Sequence, residues 1–324
     1  MNATLRRLGR SDLQISAIGL GCWQFSKQTG LVGKNWPSLT DEETTEIVKA
    51  SIDGGINWFD TAEIYGKGKS EQSLANSLQK NGLEPDETII ATKWWPLGRV
   101  ASSIKRTIDK RLSHLNGYPI VLHQVHNPFG FSSVEKEMNA MADLLEEGKI
   151  KYIGVSNFSS TKMKRAYEAL KKRGHKLVSN QVVYNILNRK IESNGIMDIA
   201  RELGVTIIAY SPLAQGLVSG KFHIDQKLIK KRIGSRKHMY KFQKKGLFKS
   251  QLVIDKLKNI AEEYNATSSQ VALNWLINFH GDMVVAIPGA TKIKQAKENT
   301  GAMNFVLNKK NLDILDQVSK KYKL

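Results

Sequence analysis

Short, largely unbroken apolar runs alternate with longer amphipathic stretches along nearly the whole 324-residue chain, and that rhythm leaves few folds open. Eight runs stand out, at 16–20, 57–61, 88–93, 120–125, 152–155, 177–182, 205–209 and 283–287, each brief and rich in Ile and Val. Strands buried on both faces of a parallel sheet read this way. Helical spacing fills the gaps. Residues 41–53 follow Thr40 with Glu43 three positions on, a capping-box pair, bury Ile47, Val48 and Ile52, and stop at Gly54-Gly55. Residues 133–147, 160–173, 192–203 and 251–264 repeat the pattern, with apolar residues three and four apart. Eight strands with helices between them predict an α/β fold of the (β/α)8 barrel kind rather than an open sheet in two domains. Residues 3–15 read as a short N-terminal hairpin turning at Gly9-Arg10-Ser11-Asp12. No Pro/Gly/Ser-rich linker divides the chain, so one domain over residues 1–324 is expected.

A doubly wound dinucleotide fold is the rival, and its fingerprint would begin at Gly19-Leu20-Gly21, directly after the first run. The third glycine is missing, because position 24 is Gln. Composition removes other classes. An apolar fraction of 41% in a chain this long rules out general disorder. One cysteine, Cys22, excludes an internal disulfide framework and points to a reducing, cytoplasmic setting. The first residues carry no apolar core of the signal-peptide kind, and no run approaches the eighteen apolar residues of a membrane span.

The charge is uneven. Lys and Arg total 49 against 30 Asp and Glu, a formal +19, and residues 221–250 hold eleven of the cations against Asp225 alone. A solvated loop, a clamp over an anionic cofactor and a nucleic-acid patch compete for that stretch. Phe222, Tyr240, Phe242 and Phe248 interleave with the cations, but no nucleic-acid-binding motif accompanies them, and nucleic acid ranks last.

In a barrel the active site gathers where the strands end. The second run ends in Asp60 and leads to Tyr65, the third ends at Lys93, and the fourth leads through His123 to His126. Taken singly, each has a structural explanation; together at neighbouring strand ends they form a coherent acid. A phenol near pKa 10 gives up its proton poorly at neutral pH. A Lys ammonium favours the phenolate, an Asp fixes the Lys, and an imidazole orients a carbonyl oxygen. No side chain supplies a hydride, so a nicotinamide cofactor is implied.

These residues lie within motifs that resemble the aldo-keto reductases: LGRSDLQISAIGLG, FDTAEIYGKGKSE, the TK step at 92–93, HNP, IGVSNFS, NQVVYNILNR, AYSPLAQGLVSGK and IPGATKIKQAKEN, in order from about residue 4 to 300. The resemblance implies a (β/α)8 barrel holding NAD(P)H without a dinucleotide-fold unit. It implies Tyr65 as general acid, Asp60 and Lys93 tuning it, and His126, directly before Asn-Pro, orienting the substrate. Ser156, Asn157 and Gln181 would hold the nicotinamide carboxamide, and Tyr210 would stack on the ring. Ser211, Leu213, Gln215, Gly216 and Lys221 would line the pyrophosphate. Ile287, Gly289, Thr291 and Lys292 would surround the adenosine 2′ position, with Gln295, Glu298 and Asn299 on the adenine and its ribose. A cation at Lys292 suits the 2′-phosphate of NADPH, with NADH as second choice. Trp23, Trp94, Trp95 and Phe129 would form an apolar mouth for a small carbonyl substrate. The expected activity is reversible NADPH-dependent reduction of aldehydes or ketones to alcohols. The alternative is a cofactor-binding, redox-sensing partner protein on the same scaffold, as in the potassium-channel β subunits. His126, typically absent from those subunits, separates the two.

Overall fold

The structure, a computed structural model, describes residues 5–322, apart from the side chains at 31, 32 and 235. An antiparallel hairpin comes first, β1 (Leu5–Arg7) paired with β2 (Gln14–Ser16), Arg6 standing opposite Ile15. The predicted hairpin is therefore present; its first two residues, 3 and 4, lie outside the described ones. Leu8 and Ile15 pack with Trp58, Leu122, Val178 and Ile208, which plugs one end of the barrel with apolar side chains. The backbone N–H of Gly9 donates to Thr206 Oγ1 at 2.7 Å, and the Trp58 indole donates to the Ser16 carbonyl at 2.9 Å, fixing the plug to the strand starts.

Eight parallel strands follow: β3 (Leu20–Gly21), β4 (Trp58–Asp60), β5 (Ile89–Trp94), β6 (Leu122–Val125), β7 (Tyr152–Ser156), β8 (Leu177–Val183), β9 (Thr206–Tyr210) and β10 (Val284–Ala286). Each pairs with the next in sequence order. The ends of the sheet meet: Gly19 N–H donates to the Ala286 carbonyl at 2.8 Å and Gly21 N–H to the Pro288 carbonyl at 3.1 Å. A Cβ on Gly21 would lie 2.8 Å from the Ile287 carbonyl oxygen, so this seam requires glycine. The Gly-X-Gly pair thus closes a barrel.

Helices cover the outside, among them Asp41–Asp53, Lys69–Lys80, Ser102–His114, Val134–Glu146, Ser160–Lys171 and Ile196–Leu203. The expected capping box holds: Glu43 N–H donates to Thr40 Oγ1 at 3.1 Å, and Thr40 N–H to Glu43 Oε2 at 2.8 Å. Two helix starts differ by more than two residues. The helix expected over 192–203 begins at Ile196, because Glu192 belongs to a preceding 3-10 turn with Arg189 clamped on its carboxylate. The helix expected from 251 begins at Lys244, seven residues earlier. Among the described residues no helix is long and apolar enough to cross a membrane.

Candidate active site

Because side chains alternate along a strand, one parity of each barrel strand points inward. Asp60, the last residue of β4, and Lys93, on β5, both point in and pair with each other while almost wholly buried, at 2% and 0% exposure. A buried ion pair persists only if its remaining valences are met. Here they are. Lys93 Nζ also donates to the Thr61 carbonyl at 2.8 Å, and the second Asp60 oxygen accepts from Gln181 Nε2 at 2.8 Å and Gln124 Nε2 at 3.2 Å. Four strands are tied at one carboxylate.

Tyr65 stands above this pair, with Lys93 Nζ 5.0 Å from its ring centroid. Trp23 stacks on the phenol at 5.9 Å, and the His126 ring meets it edge-on at 5.6 Å. Burial, reinforced by the Asp60 charge, pushes the phenol well above its usual 10. This departs from the expected lowering by lysine, since the hydrogen bonds of Lys93 are spent on Asp60 and Thr61. Burial holds His126 well below 6.5, with the Lys93 charge adding to it, so the imidazole is neutral; its Nδ1 has no protein partner. His123 is buried and pushed down to about 3 by desolvation and by Arg111, a residue of the helix layer, and it does not line the cavity. His126 does.

A cavity of about 670 Å³ runs from this cluster across the barrel mouth. It is lined by Asp60, Tyr65 and His126, and by Trp23 and Trp95 from the expected substrate set. It also takes in Ser156, Asn157, Gln181, Tyr210, Ser211, Leu213, Gln215, Gly216, Lys221, Ile287, Gly289, Thr291, Gln295, Glu298 and Asn299. Asn157, Ser211 and Gln215 hold left-handed backbone at φ 60°, 50° and 60°. Such strain in non-glycine residues concentrates where a ligand is clamped. Asn157 also ties neighbouring loops together, accepting from Tyr210 Oη at 3.0 Å and donating to Asn127 Oδ1 at 2.9 Å.

Four expected residues do not line the cavity: Lys93 lies beneath it, paired with Asp60, and Trp94, Phe129 and Lys292 lie elsewhere. Trp94 follows inward-pointing Lys93, so alternation turns it out to the helices, where its Nε1 donates to Ser103 Oγ at 3.1 Å. Phe129 lies on the surface at 58% exposure. Lys292 is exposed, directly before the helix Ile293–Gly301. Other residues escaped the sequence reading. Gln124 completes the Asp60 shell, and Arg232, Arg236 and Trp36 wall the cavity. Glu63 accepts from Arg99, Arg111 and the Trp95 N–H, anchoring the turn that carries Tyr65; Glu71 accepts from Thr92 Oγ1 at 2.7 Å and Arg111 Nε at 3.0 Å behind it. Only carboxylates in the FDTAEIYGKGKSE segment hinted at this network.

Several polar atoms around the cavity are buried without a partner: Gln24 Oε1, Gln215 Oε1, Asn299 Nδ2, and Nε and Nη2 of Arg232. Buried polar groups are normally satisfied, so an elongated polar and anionic ligand fits this lining. Comparison with known proteins agrees with that geometry. An uncharacterised oxidoreductase of Mycobacterium bovis is 34% identical over 96% of this chain and 91% of its own length. The glycerol dehydrogenase of Gluconobacter oxydans superposes with a TM-score of 0.84 at 26% identity, over 99% of this chain and 97% of that one. An aldo-keto reductase from Klebsiella pneumoniae in complex with NADPH gives 0.74 at 25% identity, over 98% and 96%. The profile of the aldo/keto reductase family matches residues 17–320, and the chain belongs to that family.

Proposed function

We propose that this protein is an NADPH-dependent carbonyl reductase acting on aldehydes or ketones, reversibly, through a single barrel domain. The observation that carries the reading is the proton-donor cluster of Tyr65, Lys93, Asp60 and His126 at one end of a cavity whose other walls hold unmatched polar and cationic atoms. Lys221 and Arg232 would face the cofactor diphosphate; no ion pair among the described residues engages either. Gln295 and Asn299 would hold the adenosine end, and Tyr210 the nicotinamide. Bound NADPH supplies the hydride that no side chain can.

Everything else falls to the chain. Neutral His126 donates to the carbonyl oxygen and orients it, adding no cation beside Lys93. Tyr65, held protonated by its raised pKa, keeps its proton until negative charge grows on that oxygen, and then transfers it. The phenolate left behind faces the Lys93 cation 5.0 Å from the ring, which stabilises it, while Asp60 prevents Lys93 from swinging away. Trp23 and Trp95 exclude water around the reacting oxygen.

The test is NADPH oxidation with a panel of aromatic and aliphatic aldehydes, with NADH in parallel. Turnover at a much lower KM for NADPH than for NADH supports the reading. Tight NADPH binding without turnover on any carbonyl would instead mark a redox-sensing binding protein.

A further inference from the structure

Most of the basic stretch 221–250 faces solvent, but two of its arginines do not. After the short helices Lys221–Ile224 and Lys227–Lys230, the chain crosses the cavity mouth toward the loop that follows β3. At Gly234 it meets Asn35 so closely that a Cβ would lie 2.5 Å from Oδ1. Arg232 stays on the near side, its Nη1 donating to the Gln215 carbonyl at 3.1 Å and its guanidinium 4.1 Å from the Phe242 ring centre. That is the wall proposed for the diphosphate.

Arg236 has crossed to the opposite wall. Its guanidinium lies 3.8 Å from the ring centre of Trp36. Trp36 meets Trp23 edge-on at 5.6 Å, and Trp23 stacks on Tyr65 at 5.9 Å. Arg236 therefore belongs to the aromatic wall that bears the proton donor. It lines the cavity at 8% exposure, its Nε has no partner, and no carboxylate pairs with it among the described residues. A cation–π contact of this kind contributes only about 1–2 kcal/mol, less than the cost of burying a guanidinium without a counter-ion. Arginine offers a planar fork that pairs carboxylate or phosphate with two parallel hydrogen bonds.

We propose that Arg236 binds an anionic group, a carboxylate or a phosphate, at the end of the carbonyl substrate remote from the reacting carbon. The inference rests on the reductase reading and narrows its substrate class. Two indole rings separate the guanidinium from Tyr65, so carbonyl and anion stand several bonds apart, and a short 2-oxoacid does not span the gap. The aromatic wall accounts for the body between them.

The experiment compares the wild type with R236M and R236K, following NADPH absorbance. The substrates are 4-carboxybenzaldehyde, its neutral methyl ester, a series of unbranched aldehydes with a terminal carboxylate at increasing distance, and a phosphorylated sugar aldehyde. R236M is expected to lower kcat/KM for the anionic aldehydes by roughly 10- to 100-fold, the range for a charge-assisted hydrogen bond. The ester should stay within about twofold, the NADPH Kd should be unchanged, and R236K should recover part of the loss. Whichever anionic class loses more identifies the group. Equal losses on acid and ester would overturn the proposal, showing that Arg236 only packs the mouth. A weakened NADPH Kd with no discrimination among aldehydes would overturn it in favour of a cofactor phosphate. Circular dichroism and urea unfolding serve as the folding control for each variant. Absence of turnover by the wild type on every aldehyde would overturn the reductase reading, and this inference with it.

Discussion

Glu137 makes stability depend on pH in a direction opposite to that of most carboxylates. It lies on the helix Val134–Glu146 with 2% exposure, its Oε1 has no partner, and Gly130 covers it so closely that a Cβ there would sit 2.1 Å from that oxygen. Burial raises its carboxyl from 4.5 to about 7, with the Lys162 charge pulling weakly back. At about 1.4 kcal/mol per pH unit, that gap is worth about 3 kcal/mol. Below pH 4.5 the group is protonated whether folded or unfolded, and the native state is favoured in full. Between 4.5 and about 7 the unfolded chain releases a proton that the folded chain retains, so stability falls as pH rises; above 7 the loss is complete. Glu137→Gln keeps the shape and removes the titration. Urea unfolding of both proteins, followed by circular dichroism from pH 4.5 to 8.5 at fixed salt, should show the variant gaining about 3 kcal/mol on the wild type across that range. Any constant cost of the buried amide drops out of the comparison. Parallel stability curves, offset but never converging toward low pH, would refute the argument.

Tyr65→Phe should leave the NADPH Kd within about twofold and lower kcat by roughly 100- to 10,000-fold, measured with one aldehyde and fluorescence titration of the cofactor; near-normal turnover would displace Tyr65 as the acid. Lys93→Met strands the Asp60 carboxylate and should cost about 3–5 kcal/mol in urea unfolding, with D60N added to it recovering part of that; a loss below about 1 kcal/mol would mean water reaches the pair. Because burial keeps His126 neutral, kcat/KM should show no His126-dependent inflection between pH 5.5 and 7.5; one near 6.5 that disappears in His126→Ala would contradict that state. Arg111→Met should raise KM and lower kcat together by loosening the turn that Glu63 anchors, whereas wild-type kinetics would confine Arg111 to stability.

The barrel strands were legible because being buried on both faces leaves a continuous apolar run, a signal independent of any distant residue. The first run shows the limit of that signal. Residues 16–20 read as one strand, yet Ser16 closes the hairpin and Leu20 opens the barrel, because Gly19 passes under the Trp58 indole, where a Cβ would sit 2.3 Å from the ring. Apolarity persisted across the break, and the contact that forces it lies some forty residues away. The proposed proton-donor cluster stands out in sequence for a related reason: Asp60, Lys93 and His126 lie at or beside strand ends and Tyr65 in the turn that follows one. Trp94 was legible too, and the reading missed it. Once Lys93 points inward, alternation alone sends Trp94 out to Ser103. The arginines of the basic stretch are a different case. Eleven cations in thirty residues look alike in sequence, and nothing local separates Arg232 and Arg236 from the solvated lysines around them. What sets them apart is tertiary: Arg232 hydrogen-bonds the Gln215 carbonyl at the cavity wall, and Arg236 is buried on Trp36, two hundred residues away. A charge run therefore announces a surface, while the few cations that leave it for the cavity wall are chosen by contacts that no local pattern shows.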